Sequence, residues 1–289
     1  MDGADITAEG LGLKGPRGWA FRGITFTAEP GSLIAIEGPS GSGRTCLLLA
    51  LTGRMKPTEG VATVGGLKLP RHLAAVRRFG AVANVAGVTD PEPALTVGEH
   101  LRERALLEHR FGGSLREVLR PRARRAHEAR QRIDAALAAA GLDLETLPKG
   151  SRTAVRDLER PQELRLSLAL ALMGRPRLLG VDDVDMKLSD AERTEIWDLL
   201  RSLARAGTTV LAVCRTAPEG CTAVSTGRRD ADREDTTHED GTRADTAHGT
   251  GTGTADTDTT EAGTAPDATA PTTERKEAAG DALTEAGRA

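Results

Sequence analysis

Gly38-Pro39-Ser40-Gly41-Ser42-Gly43-Arg44-Thr45 is the first group of residues in this chain whose types and spacing could do chemistry. Glycines let successive backbone N–H groups turn toward one point, and a helix beginning there adds partial positive charge, so the pattern suits a phosphate. Thr45 could offer its hydroxyl to a magnesium ion, and Cys46 follows at the edge of the same loop. Arg44 stands where such loops carry lysine. It is longer, planar and forked, so it attracts polyphosphate without reproducing the reach of a compact ammonium. The second group is Asp182-Asp183, directly after the apolar run Leu178-Leu179-Gly180-Val181. An acid at the carboxyl end of a strand can hold magnesium, directly or through water.

A phosphate loop works only between a strand and a helix, and the flanking residues supply both. Leu33-Ile34-Ala35-Ile36 is a short buried run, and Cys46-Leu47-Leu48-Leu49-Ala50-Leu51 reads as helix until Gly53. This context argues against a glycine-rich turn that binds nothing. The first forty residues read as strands, with Ile24-Thr25-Phe26-Thr27 alternating and a turn at Glu29-Pro30-Gly31. Val61–Val64 predicts another strand before Gly65-Gly66. Residues 97–145 read as helical and rich in arginine, with Ile133–Ala140 stopped by Gly141. Gln162–Met173 and Asp190–Ala206 predict two further helices, and Leu178–Val181 and Thr209–Val213 two buried strands. Alternating strands and helices imply an α/β parallel core, with an N-terminal β subdomain before it and a helical block, about 97–165, inserted within it.

Composition sets the outer limits. From Arg228 onward there is no Val, Ile, Phe, Met or Trp, and the one leucine is Leu283. Such a stretch cannot bury enough apolar area to offset chain entropy, so 228–289 is expected to be disordered and 1–227 to be the globular domain. The tail carries 15 acidic and 7 basic residues against 27 acidic and 32 basic in the body, giving −8 and +5 for the total of −3. Cys46, Cys214 and Cys221 have no metal spacing and suit a reducing compartment. The acidic start Met1-Asp2-Gly3-Ala4-Asp5 gives no signal peptide, and Leu164–Met173 is too short to span a bilayer. The expected place is the cytoplasm, with any membrane role left to a separate chain. Arg116, Arg120, Arg122, Arg124, Arg125 and Arg130 form a basic patch, but no aromatic interleaves it, so nucleic acid is not expected.

Taken in order, Gly38–Thr45, Leu95-Thr96-Val97-Gly98-Glu99-His100-Leu101, Leu158-Glu159-Arg160-Pro161-Gln162, Arg165–Leu172 and Leu178–Asp183 resemble the segments of an ATP-binding-cassette (ABC) ATPase subunit. The likeness covers about residues 5–227. It implies a P-loop NTPase fold in which Gly38, Pro39, Ser40, Gly41, Ser42, Gly43, Arg44, Thr45 and Cys46 bind ATP. Thr45, Asp182 and Asn84 would then address the nucleotide's Mg2+. By the same resemblance Asp183 takes the place of the catalytic glutamate, one methylene shorter, and Arg215 that of the switch histidine. About 1 Å of misplacement can cost a reaction on the order of 100-fold, and a guanidinium accepts no proton near neutral pH. The signature Leu-Ser-Gly-Gly-Gln keeps only Leu158 and Gln162. Glu159 brings negative charge toward phosphate, and Pro161 has no N–H to donate. Ser189 replaces the aspartate usual after the Asp182 segment, and Trp19 is the nearest substitute for the aromatic that stacks on adenine.

The resemblance therefore implies an ATP-binding subunit of a transporter, peripheral at the inner face of the cell membrane, with hydrolysis weak or absent. Its partners would be a transmembrane subunit and a second cassette, identical or not. A non-enzymatic scaffold or regulatory module of the same fold is the alternative, and a nucleic-acid-associated cassette, resting on the arginine patch alone, is the third.

Overall fold

The computed structural model describes residues 3–112 and 122–227, with side chains for all of these except 109–112 and 122. The expected disordered tail, with His238 and His248, and Arg116, Arg120 and the Arg122 side chain of the basic patch lie outside the described residues.

Two sheets form the framework. Strands β1 (Ile6–Gly15), β2 (Gly18–Ala28), β4 (Glu59–Val64) and β5 (Leu67–Leu69) make an antiparallel sheet in the order β2-β1-β4-β5. Strands β3 (Leu33–Glu37), β6 (Gly80–Ala83), β7 (Leu178–Val181), β8 (Thr209–Val213) and β9 (Thr222–Ser225) make the second, in the order β6-β7-β8-β3-β9. Every pairing in this second sheet is parallel. The helices are α1 (Arg44–Leu51), α2 (Leu73–Phe79), α3 (Val97–Gly112), α4 (Arg122–Ala140), α5 (Arg160–Leu172) and α6 (Asp190–Arg205).

The parallel strands read as unbroken apolar runs because both their faces are covered. Leu33, Ala35, Leu179, Val181, Val210 and Ala212 face one buried cluster shared with α3, α4, α5 and α6. Ile34, Ile36, Leu178, Leu211, Val213 and Val224 face the other, shared with α1 and the antiparallel sheet. A Cβ at Gly180 would meet Leu48 and Thr52 side-chain atoms at 3.1 to 3.2 Å, so the bare backbone there lets α1 lie close on β7.

Some helix starts follow side-chain caps. Ser189 precedes α6: its Oγ accepts from the Glu192 N–H at 3.3 Å, and Glu192 Oε2 accepts from the Ser189 N–H at 2.7 Å. Thr96 and Glu99 repeat the arrangement before α3. The helix expected over Gln162–Met173 begins two residues earlier, because Pro161 sits in the first turn, where no intrahelical N–H is required. The single helical reading of 97–145 resolves into α3, α4 and a short 3-10 turn at Leu144–Thr146. Strand β9, α2 and β5 were not foreseen: each is short and has no strong period of its own.

Candidate functional site

A parallel sheet brings the carboxyl ends of all its strands to one edge. In register, Ile36 lies opposite Val213 and Val224, Ala212 opposite Val181, and Val181 opposite Ala83. Gly38, Cys214, Asp182, Asn84 and Thr226 therefore all follow strands that end along one edge.

The loop after β3 turns through left-handed glycines, with φ 149° at Gly38, 82° at Gly41 and 83° at Gly43. Gly43 caps α1, yet no side chain accepts from the N–H groups of the first turn, and no acid lies in that turn. Those donors and the helix dipole face an anion's place. Ser42 Oγ and Thr226 Oγ1 lie 2.6 Å apart, and Thr226 donates to the Glu37 carbonyl at 3.1 Å, so β9 braces the loop. Pro39, Ser40 and Gly41 are exposed. Cys46 is half-buried, and burial, followed by the charge of Asp182, pushes its thiol up, away from thiolate chemistry.

Arg44 has a main-chain partner at the same edge. Its Nη1 donates to the carbonyl of Cys214 at the end of β8. The guanidinium is thus held by the main chain of a neighbouring strand end.

Asp182 is 3% exposed and accepts from Thr45 Oγ1 at 2.8 Å and from the Asp183 N–H at 3.1 Å. Burial pushes its carboxyl up to about 6; the Thr45 hydrogen bond opposes this and the Asp183 charge adds to it. A buried carboxylate short of counter-charge, beside a hydroxyl, is a hard oxygen pair that fits Mg2+. Thr45 and Asp182 would hold that ion, which supplies positive charge against the oxygens of a bound polyphosphate.

The remaining site residues are placed as follows. Asp183 is half-buried with a left-handed φ of 44°. Asn84, also left-handed at φ 57°, has both ends of its amide engaged: Nδ2 donates to the Asp182 carbonyl at 2.6 Å, and Oδ1 accepts from Arg160 Nη2 at 3.0 Å. Arg215 is exposed, and its N–H donates to Asp185 Oδ2 at 2.8 Å, which ties the loop after β8 to the loop after β7. Glu159 is exposed at the start of α5, and its N–H donates to Gln162 Oε1 at 3.0 Å. The Arg22 guanidinium lies 4.7 Å and Lys14 Nζ 5.5 Å from the Trp19 ring centre, so cations already lie over the indole. Sequence reasoning missed Thr226, Asp185, Ser167 and the Cys214 carbonyl. Thr226 and the Cys214 carbonyl reach the site through strand order, Ser167 through its bond from α5 to the Asn84 N–H, and Asp185 through the loop after β7.

The ABC transporter family model matches residues 21–185. This chain belongs to that family. It is 31% identical over 208 residues to "Daunorubicin resistance ATP-binding protein DrrA3" of Streptomyces coeruleorubidus, covering 71% of this chain and 58% of that one. A "Putative ABC transporter ATP-binding protein" of Streptomyces avermitilis is 30% identical over 219 residues, covering 74% and 73%. Among solved structures, cbiO1 from Clostridium perfringens superposes with a TM-score of 0.60 at 20% identity, over 77% of this chain and 85% of that one. The chain thus spans less than two thirds of the length of the daunorubicin relative. The fold is that of the ABC ATPases, a P-loop NTPase core, as expected from the motifs.

Proposed function

We propose that this chain is the ATP-binding subunit of an ABC-type transporter, binding ATP–Mg and acting on a separate membrane-spanning partner, with hydrolysis weak or absent. Residues up to 227 form the nucleotide-binding domain, with the helical insertion at about 97–165, and 228–289 form a tail. The observation that carries the reading is the Thr45–Asp182 pair beneath the glycine loop, an oxygen donor pair beside an anion cradle. Family membership supports the coupling to transport.

Four features support weak turnover. Arg44 is engaged by the carbonyl of Cys214. Asp183 is a shortened acid, Arg215 cannot accept a proton, and the segment Glu159–Pro161 offers an exposed acid and a residue without an N–H where phosphate donors would be needed. Such a subunit pairs with a second cassette that supplies what it lacks. No helix among the described residues is long and apolar enough to cross a membrane, so the partner supplies the span and the chain sits at the cytoplasmic face. The cleft of about 870 Å3 between β6 and α3, lined by Arg77, Val88, Pro91, Leu95, Arg104 and Leu107 among others, is the surface we assign to that partner.

The test is ATP binding by calorimetry on the full chain, with and without magnesium. Affinity that depends on magnesium and drops in Asp182→Ala supports the proposal; no binding in the wild type refutes it. The engagement of Arg44 also favours a second reading, a cassette-fold scaffold that uses no nucleotide. Magnesium-dependent ATP binding would remove that one.

A further inference from the structure

Arg160 lies at the first position of α5, with its side chain 21% exposed. Its guanidinium donates in three directions. Nη1 reaches Glu163 Oε2 at 3.0 Å, Nη2 reaches Asn84 Oδ1 at 3.0 Å, and Nε reaches the Met186 carbonyl at 3.4 Å. These acceptors lie on three different segments: the first turn of α5, the loop after β6 and the loop after β7.

The Asn84 amide orientation is fixed by its partners. Nδ2 must face the Asp182 carbonyl and Oδ1 must face the guanidinium, since the flipped amide would set donor against donor. The Asn84 N–H is also taken, by Ser167 Oγ of α5 at 2.7 Å. Asp182 in turn accepts from Thr45 in α1. One cation thus closes a chain of hydrogen bonds from the helical block through Asn84 and Asp182 to the phosphate loop. The two loops it joins hold backbone that needs external support: Asn84, Asp183 and Lys187 all have left-handed φ without being glycine.

We propose that Arg160 is a positioning residue that latches α5 onto the loops after β6 and β7 and occupies the Asn84 amide oxygen. A hydrogen bond to a charged group is worth more than a neutral one, and here it joins segments 76 residues apart in the chain. While the latch is closed the helical block and the phosphate-site loops move as one piece. Opening it frees Asn84 and lets the two parts shift separately. The consequence for nucleotide rests on the ATP-binding reading above; the latch itself does not.

The test is amide hydrogen exchange on the nucleotide-free full chain. Arg160→Ala should speed exchange about tenfold or more at Asn84, Val85, Val88, Thr89 and Met186, while the amides of β3 and β8 keep their rates. In an Asn84→Ala background the same substitution should add much less, because its main acceptor is gone. Arg160→Lys, which keeps one charged contact and not the fork, should fall between. Unchanged loop exchange in Arg160→Ala, or full additivity with Asn84→Ala, overturns the latch. In parallel, Arg160→Ala should raise ATP–Mg affinity several-fold. Absence of ATP binding in both proteins would refute the functional reading and leave the exchange result to decide the latch.

Discussion

Gly43 and Gly41 differ in their surroundings though not in their backbone, and that difference can be measured. Their φ values are 83° and 82°. An alanine in the left-handed region costs about 1–2 kcal/mol at either place. A Cβ at Gly41 meets nothing within 4 Å, so the dihedral is the whole effect there. At Gly43 a Cβ would sit 2.1 Å from the Ala20 carbonyl oxygen and 2.5 Å from its carbon. Those are main-chain atoms of β2, which cannot turn aside as a side-chain end would. Either β2 or the start of α1 must shift by roughly 1 Å, and such overpacking adds about 1–3 kcal/mol. The shift also loosens the Leu47 N–H to Gly43 carbonyl bond of 2.9 Å that opens α1. Gly43→Ala should then lose about 2–5 kcal/mol against about 1–2 for Gly41→Ala. For a domain of this size that means melting temperatures lower by roughly 4–20 °C and 2–8 °C respectively. Thermal unfolding followed by circular dichroism on the nucleotide-free protein reads both. If Gly43→Ala is no more destabilising than Gly41→Ala, the packing of β2 on the phosphate loop described here is wrong.

Asp182, raised from 3.8 to about 6, binds its proton more tightly folded than unfolded. Its contribution is therefore full below pH about 4 and lost as pH rises through 6, at most about 3 kcal/mol. Asp182→Asn should flatten that dependence and make the nucleotide-free protein more stable than wild type at pH 8, measured by urea unfolding across pH. Arg44→Lys gives up the bond to Cys214 and regains a compact ammonium, so ATP affinity by calorimetry should rise on the order of tenfold; an unchanged or weaker affinity would count against the stowed arginine. Trp19→Ala should leave the ratio of ATP to GTP affinity unchanged, because Arg22 and Lys14 already lie over the ring. A selective loss of ATP binding would show that the indole stacks on the base.

Much of the framework was legible because it is locally encoded. The runs Leu178–Val181 and Thr209–Val213 are strands as read, since continuous apolar stretches of that length fit a sheet covered on both faces. The α/β core with a phosphate loop between strand and helix was equally readable from Gly38–Thr45. Short elements such as β5 and β9 were not, because pairing with β4 and β3 stabilises them and their own sequence does not.

The site divides in the same way. Residue types decided what each group can do: Arg215 cannot take a proton and Pro161 cannot donate one, whatever surrounds them. Residue types also made Asp182 a metal-side candidate, and the Ser-x-x-Glu spacing at Ser189 carries its own capping signal. Only the tertiary structure decided where the polar ends go. Arg44 meets a carbonyl 170 positions away, Asn84 is held between Arg160 and Asp182, and Thr226 braces Ser42. Hydrogen bonds of that span depend on strand order and parallel register, which set distant strand ends side by side and leave no local trace in the sequence.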